Sequence, residues 1–107
     1  MTELKPITWA GTSRKDLKAF PDKVRQIFGA ELMAVQLGHE PDDWKPMNSI
    51  GQGVKEIRVQ YEGQYRIIYI AKFSESIYVL HAFRKKTQRT SKQDIEIAKQ
   101  RLRQIKR

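Results

Sequence analysis

Between residues 21 and 37, apolar positions recur at intervals of three and four, which predicts an amphipathic helix. The apolar face of this helix comprises Val24, Ile27, Phe28, Leu32 and Val35. Pro21 suits the first helical turn, because its missing N–H would have no partner there. Gly38 suits the C-terminal cap, so the helix is expected to end just before it.

A short strand and a short helix are expected ahead of this long helix. Residues 5–10 are rich in β-forming side chains and predict a strand. Thr12 or Ser13 can then cap a helix over residues 14–19. After the long helix, residues 38–53 hold two prolines and three glycines, which predicts a loop.

Three strands are predicted after this loop, at residues 54–61, 65–73 and 77–83. The first alternates, with Glu56 and Arg58 on one face, whereas the second is more continuously apolar and is therefore expected to be central. Gly63 provides the dihedral angles that a hairpin turn between the first two strands needs.

A closing helix is predicted to begin near Thr90 or Ser91, because Ser91 and Asp94 resemble a capping box. Its buried stripe comprises Ile95, Ala98, Leu102 and Ile105. The resulting order, β-α-α-β-β-β-α, predicts an α+β fold: a small, twisted, mainly antiparallel sheet with helices packed on one face.

Length and composition restrict the class of protein. A chain of 107 residues predicts a single domain spanning residues 1–107. The absence of cysteine excludes disulfides, thiolate chemistry and cysteine-based zinc sites. No apolar run approaches the roughly 20 residues that a membrane-spanning helix needs, and the N-terminal residues lack the apolar core of a signal peptide. We therefore expect a cytoplasmic protein with no membrane partner.

The positive charge is concentrated at one end of the chain. The net charge is +9, and residues 84–107 hold ten Lys or Arg against two acidic residues. This concentration favours a surface that faces a polyanion such as nucleic acid. The alternative is a solvated basic helix that only keeps the protein soluble.

Four cations on three neighbouring strands are the main candidate site. Arg58 and Arg66 are expected to lie near each other across the hairpin, with Lys85 and Lys86 at the end of the next strand. Either Glu56 or Glu62 neutralises the two arginines, or an RNA phosphate does. Sequence spacing leaves both interpretations open. Further nucleic-acid contacts are expected from Lys55, Arg84 and Arg89.

Cleavage of RNA through its 2′-hydroxyl needs charge stabilisation and two proton transfers. Arginine stabilises charge but is a poor acid or base, whereas a lysine crowded by other cations can shift its pKa. His81 is the side chain best placed to titrate near neutrality, although it also fits a buried position in its strand.

No metal site and no cofactor are predicted. His39 with Glu40, Asp42 and Asp43 looks like a ligand set, but these residues are adjacent on a loop and the chain has two histidines in all. No glycine-rich phosphate loop precedes a helix, and no serine lies in a nucleophile elbow.

Several segments together resemble the phage-derived, HigB-like branch of the RelE/ParE toxin superfamily. They span most of the chain and are WAGTS (9–13), DLKAFP (16–21), EPDDWKPM (40–47), GVKEIRV (53–59), YRIIY (65–69) and HAFRKKT (81–87). The resemblance implies a RelE-like fold and the toxin of a type II toxin–antitoxin pair. Such toxins are usually ribosome-dependent, metal-independent endoribonucleases that cut mRNA. The implied partners are mRNA on the ribosome and a small helix-turn-helix antitoxin.

The resemblance also implies site residues. Arg58, Arg66 and Lys86 match basic positions of the family, and Lys85 adjoins the last of them; these groups would bind the phosphate and stabilise the transition state. The closing helix has no Tyr or His where well-studied members have one, so His81 or a lysine would have to act as the base. This departure leaves two alternatives open: a non-enzymatic nucleic-acid-binding module and a gyrase-directed, ParE-like toxin.

Overall fold

The computed structural model describes residues 4–105. In this range five strands are present, β1 (Ile7–Trp9), β2 (Trp44–Pro46), β3 (Val54–Gln60), β4 (Gln64–Ile70) and β5 (Ile77–Lys85). The three helices are α1 (Ser13–Lys18), α2 (Asp22–Gln36) and α3 (Lys92–Arg103). None of these helices is both long and apolar enough to cross a bilayer.

All five strands form one mixed sheet in the order β1-β5-β4-β3-β2. β1 pairs with β5 in parallel, and the other neighbours are antiparallel. The predicted α+β class with a mainly antiparallel sheet is therefore confirmed. β4 is the central strand, as its continuous apolar run predicted, because both of its faces are covered.

The two faces of the sheet have separate cores. Side chains of α2, among them Val24 and Phe28, pack against residues such as Ile67 of β4. Ala98 of α3 packs with Ile68 in a second cluster. Since neighbouring residues of a strand point to opposite faces, α1 and α2 lie together on one face, as predicted, whereas α3 contacts the other. We call these the α2 face and the α3 face.

The segment predicted as a loop at residues 38–53 contains the short edge strand β2. Trp44, Lys45 and Pro46 pair with Ile57, Glu56 and Lys55 of β3. Three residues ending in a proline have little strand signal of their own, and proline is tolerated at a sheet edge. The pairing with β3 therefore defines this strand.

The boundaries of β4 and β5 also differ from the prediction. β4 ends at Ile70 rather than Phe73, and β5 continues past Phe83 to Lys85. The extension of β5 is paired, because Lys85 lies opposite Gln64. This extension holds the backbone of Arg84 and Lys85 in the sheet.

The caps of α2 and α3 follow the sequence. Gly38 has a φ of +90° directly after the C-cap Leu37 of α2, the left-handed conformation that favours glycine. The Ser91 hydroxyl accepts a hydrogen bond from the Asp94 N–H at the start of α3. Thr12 occupies the N-cap of α1 but forms no side-chain capping bond there.

Two glycine substitutions should change stability in opposite directions. Gly38→Ala should lower the free energy of unfolding by about 1–2 kcal/mol, since alanine disfavours the left-handed region. Gly29→Ala should raise it by about 0.5–1 kcal/mol, because Gly29 lies within α2 and its added Cβ meets nothing within 4 Å. Urea denaturation measures both; equal effects of the two substitutions would contradict the backbone conformations assigned to these glycines.

Candidate functional site

Strand register brings the predicted arginines together on the α3 face. Arg58 of β3 lies directly opposite Arg66 of β4, and Glu56 lies opposite Ile68. Residues 56, 58 and 66 therefore share one face of the sheet with Ile68. Lys85 of β5 is opposite Gln64 and belongs to the same face.

Arg66 is the most enclosed cation of this group, with 4% of its surface exposed. It donates hydrogen bonds to the Tyr65 carbonyl at 3.0 Å and to Gln64 Oε1 at 3.1 Å. Its Nε lies 3.5 Å from Glu56 Oε1. Burial is the main cause that lowers the pKa of Arg66, and the charge of Arg58 acts in the same direction.

A fully buried carboxylate, Glu56, lies beneath these cations. Its Oε2 accepts a hydrogen bond of 2.6 Å from the Thr90 hydroxyl, and Lys45 Nζ is 4.0 Å from Oε1. Within the described residues, neither Glu56 Oε1 nor Arg66 Nε has a hydrogen-bond partner. The two groups therefore attract each other through charge rather than through a formed hydrogen bond.

Arg66, Lys85 and Lys86 line one surface depression with a volume of about 520 Å³. We call it the cationic depression; its lining is Gln64, Arg66, Lys85, Lys86, Thr87 and Gln88. Burial is the largest cause that lowers the pKa of Lys85, and the neighbouring charge of Arg66 lowers it further. A lysine of this kind releases its proton more readily than an isolated one.

Arg58 lies beside the depression rather than in its lining. Its Nε is 3.7 Å from Asp43 Oδ1, and its backbone N–H donates to the Asp43 carbonyl at 2.9 Å. The cluster as a whole has five cations, at positions 45, 58, 66, 85 and 86, against the carboxylates of Asp43 and Glu56. Neutralisation by carboxylates, which the sequence left open, is therefore partial.

His81 shares the α3 face but is not part of the depression lining. It is 6% exposed and stacks on Phe83 with a centroid distance of 4.7 Å. Its Nε2 lies 2.7 Å from Asp94 Oδ1, and Asp94 Oδ2 accepts a hydrogen bond from Ser91. The position matches the buried strand histidine that was the alternative interpretation, here bonded to the first turn of α3.

Three predicted nucleic-acid contacts lie outside the cationic depression. Lys55 is on the α2 face, where it bonds to Glu40 at 2.9 Å and lies 4.5 Å from the Trp44 ring centroid. Arg84 points to the same α2 face, 5.7 Å from the Tyr65 ring centroid. Arg84 and Arg89 both line a second depression of about 350 Å³ that shares Lys85 and Lys86 with the first.

Sequence reasoning undervalued Glu56 and did not identify Thr90. The sequence predicts Glu56 only as one of two candidate neutralising charges, and its alternation with Arg58 places it on the cationic face. Thr90 lies thirty-four positions from Glu56 along the chain. No local pattern could reveal that contact, because it depends on where the chain enters α3.

Residues 15–103 match the family model described as "Phage derived protein Gp49-like (DUF891)". The matched range includes every residue of the cationic cluster, of the depression lining and of the His81–Asp94 pair. No curated protein matches the chain.

The His81–Asp94 pair predicts a pH-dependent stability. Burial lowers the pKa of His81 below its usual 6.5, although the Asp94 hydrogen bond opposes the shift. The unfolded chain then binds a proton at a higher pH than the folded chain does, so the free energy of unfolding should fall as the pH drops below about 6.5. Urea denaturation between pH 5 and pH 8 measures this effect.

His81→Gln should remove that part of the pH dependence. The matched control is His39→Gln, because His39 is exposed and is the only other histidine. A wild-type slope that His81→Gln leaves intact would contradict the assignment.

Proposed function

Because the chain belongs to the phage-derived Gp49-like family, which is a RelE/toxin-like family, we propose that it is the toxin of a type II toxin–antitoxin pair that cuts mRNA on the ribosome. Its proposed partners are the mRNA substrate and a small helix-turn-helix antitoxin. The single observation that supports nuclease activity best is the meeting of Arg66, Lys85 and Lys86 in one depression, with Arg58 beside it.

The proposed reaction uses the 2′-hydroxyl of RNA as its nucleophile. Neutral Lys85 Nζ takes the proton of this hydroxyl, and the oxygen attacks the adjacent phosphorus. The bond from phosphorus to the 5′-oxygen breaks, which leaves a 2′,3′-cyclic phosphate. Lys86 donates a proton to the departing 5′-oxygen. The proposed step needs side chains alone and no metal.

Arg66 and Arg58 stabilise the charge that builds up on the phosphoryl oxygens. Arginine suits this role because it stays protonated and offers several donors in a fixed geometry. Arg66 is held on its outer side by Gln64 and Tyr65, so it changes orientation little during the reaction. Fixed donors of this kind lower the barrier because they need no reorganisation.

Lys85 is a better proton acceptor than His81 in this arrangement. Both groups have lowered pKa values because both are partly or largely buried. Only Lys85 lines the depression, whereas His81 Nε2 is already engaged with Asp94. We therefore reassign the proton-carrying role from His81 to Lys85 and give His81 the role of anchoring α3.

Substitutions in the depression and beside it should slow cleavage strongly without unfolding the protein. In a reconstituted translation reaction, Lys85→Ala should slow mRNA cleavage by about 10²–10⁴-fold, and Arg58→Ala by about 10²–10³-fold. Primer extension on a defined mRNA measures the cut sites and their rates. Lys23→Ala is the matched control, because Lys23 is an exposed cation of α2 on the other side of the sheet.

Two other experimental results would indicate a different function for this protein. Binding of RNA with a steep salt dependence but no cut product would indicate a non-enzymatic nucleic-acid-binding module. Broken DNA with intact mRNA in induced cells would indicate a gyrase-directed toxin. Folded Lys85→Ala and Arg58→Ala proteins that cut mRNA at the wild-type rate would contradict the proposed site.

The rate of cleavage should rise with pH and then level off. Neutral Lys85 is the reactive form, so the rate follows its fraction until the pH exceeds the lowered pKa of Lys85. The Lys85→Arg protein keeps the positive charge but does not release a proton. It should cleave mRNA slowly, and its cleavage rate should not rise with pH. Single-turnover cleavage rates of the wild-type and Lys85→Arg proteins, measured on the same ribosomes, test this. The ratio of the two rates cancels the pH dependence of the ribosome.

A further inference from the structure

We propose that Glu56 is a positioning residue for the cationic depression, where it fixes Arg66 from below and anchors the segment that presents Lys86. This inference rests on the proposed nuclease function, but its structural part can be measured without activity. Glu56 touches no part of the depression surface, since it has no exposed area and is not in the lining. Any effect on the reaction must therefore act through its neighbours.

The first neighbour is Arg66. Glu56 Oε1 and Arg66 Nε lie 3.5 Å apart, and neither atom has a hydrogen-bond partner among the described residues. A buried polar atom without a partner is rare in folded proteins. The two unpaired atoms face each other, so the attraction between them holds the guanidinium toward the sheet while its outer nitrogens bond to Gln64 and Tyr65.

The second neighbour is Thr90. The Thr90 hydroxyl donates to Glu56 Oε2 at 2.6 Å, although the two residues are far apart in the chain. Residues 86–91 connect β5 to α3, and Lys86 lies at the start of this connection. One end of the connection is fixed by the pairing of Lys85 with Gln64. The bond from Thr90 to Glu56 fixes the other end.

The third effect of Glu56 is electrostatic, and it acts on Lys85. Burial is the largest cause that lowers the pKa of Lys85, and Arg66 on β4, Lys45 on β2 and Arg58 on β3 lower it further, whereas the charge of Glu56 raises it. Glu56 therefore limits how far the pKa of Lys85 falls.

Glu56→Gln is the decisive substitution, because it removes the charge and keeps the shape. We expect the pKa of Lys85, measured by NMR titration of labelled lysine and assigned with Lys85→Arg, to fall further. We also expect the rise of the pH–rate profile to move to lower pH. On the plateau of the pH–rate profile, kcat should drop by about 10- to 100-fold because Arg66 and Lys86 are less well positioned, while KM for the mRNA does not increase, since loss of a negative charge favours phosphate binding.

Glu40→Gln is the matched control. Glu40 also bonds to a lysine, Lys55 at 2.9 Å, but this pair lies on the α2 face. The control should leave the pKa of Lys85 and the pH–rate profile unchanged. If Glu56→Gln folds and behaves like Glu40→Gln, the proposal is overturned. A rise in KM with an unmoved pH profile would equally overturn it, because that is the result of a purely structural role.

Thr90 supplies a second test in case Glu56→Gln does not fold. Thr90→Val removes the hydroxyl at nearly constant shape and should lower kcat, whereas Thr90→Ser keeps the hydroxyl and should preserve it. Equal activity of the Val and Ser variants would contradict the anchoring role. If the wild-type protein cuts no mRNA, the nuclease proposal fails, and the NMR titration of Lys85 still decides whether Glu56 controls this group.

Discussion

The arrangement of the α3 face depends on a pair of like charges that the sheet holds directly opposite each other. Arg58 and Arg66 are register partners of β3 and β4, and such pairs repel each other. Glu56 compensates from a fully buried position 3.5 Å from Arg66. Removal of one partner from a buried ion pair typically costs about 3–5 kcal/mol. The cation cluster and the adjacent core are therefore energetically linked.

This compensation is incomplete, which matters for anion binding. Glu56 and Asp43 approach their arginines at 3.5 and 3.7 Å, and the arginine Nε atoms lack hydrogen-bond partners in the described part of the chain. Fully formed bidentate ion pairs would have used the same donors that a phosphate needs. The carboxylates therefore reduce the repulsion enough for the cations to pack together, without forming a bidentate ion pair with either arginine.

Much of this could be predicted from the sequence, because it depends on local patterns. Strand alternation placed Glu56 and Arg58 on one face, and the capping residues located the ends of α2 and α3. β2 escaped prediction because pairing with β3 defines it. Positive charge along the chain predicts Lys55 and Arg84 as nucleic-acid contacts, whereas strand alternation places both side chains on the α2 face. The contact of Thr90 with Glu56 depends on tertiary packing and has no local signal.

One physical cause, burial, has different consequences for the two titratable groups of this face. It lowers the pKa of both His81 and Lys85. For His81, burial favours the neutral ring, whose Nε2 bonds to Asp94 and thereby ties β5 to α3. Lys85 lines the cationic depression, and burial favours its neutral amine. This lysine therefore loses its proton at a lower pH than an isolated lysine does. A histidine of normal pKa is the usual choice for proton transfer, but here the geometry differs for the two groups: the histidine is bonded to the first turn of α3, and the lysine lines the cationic depression.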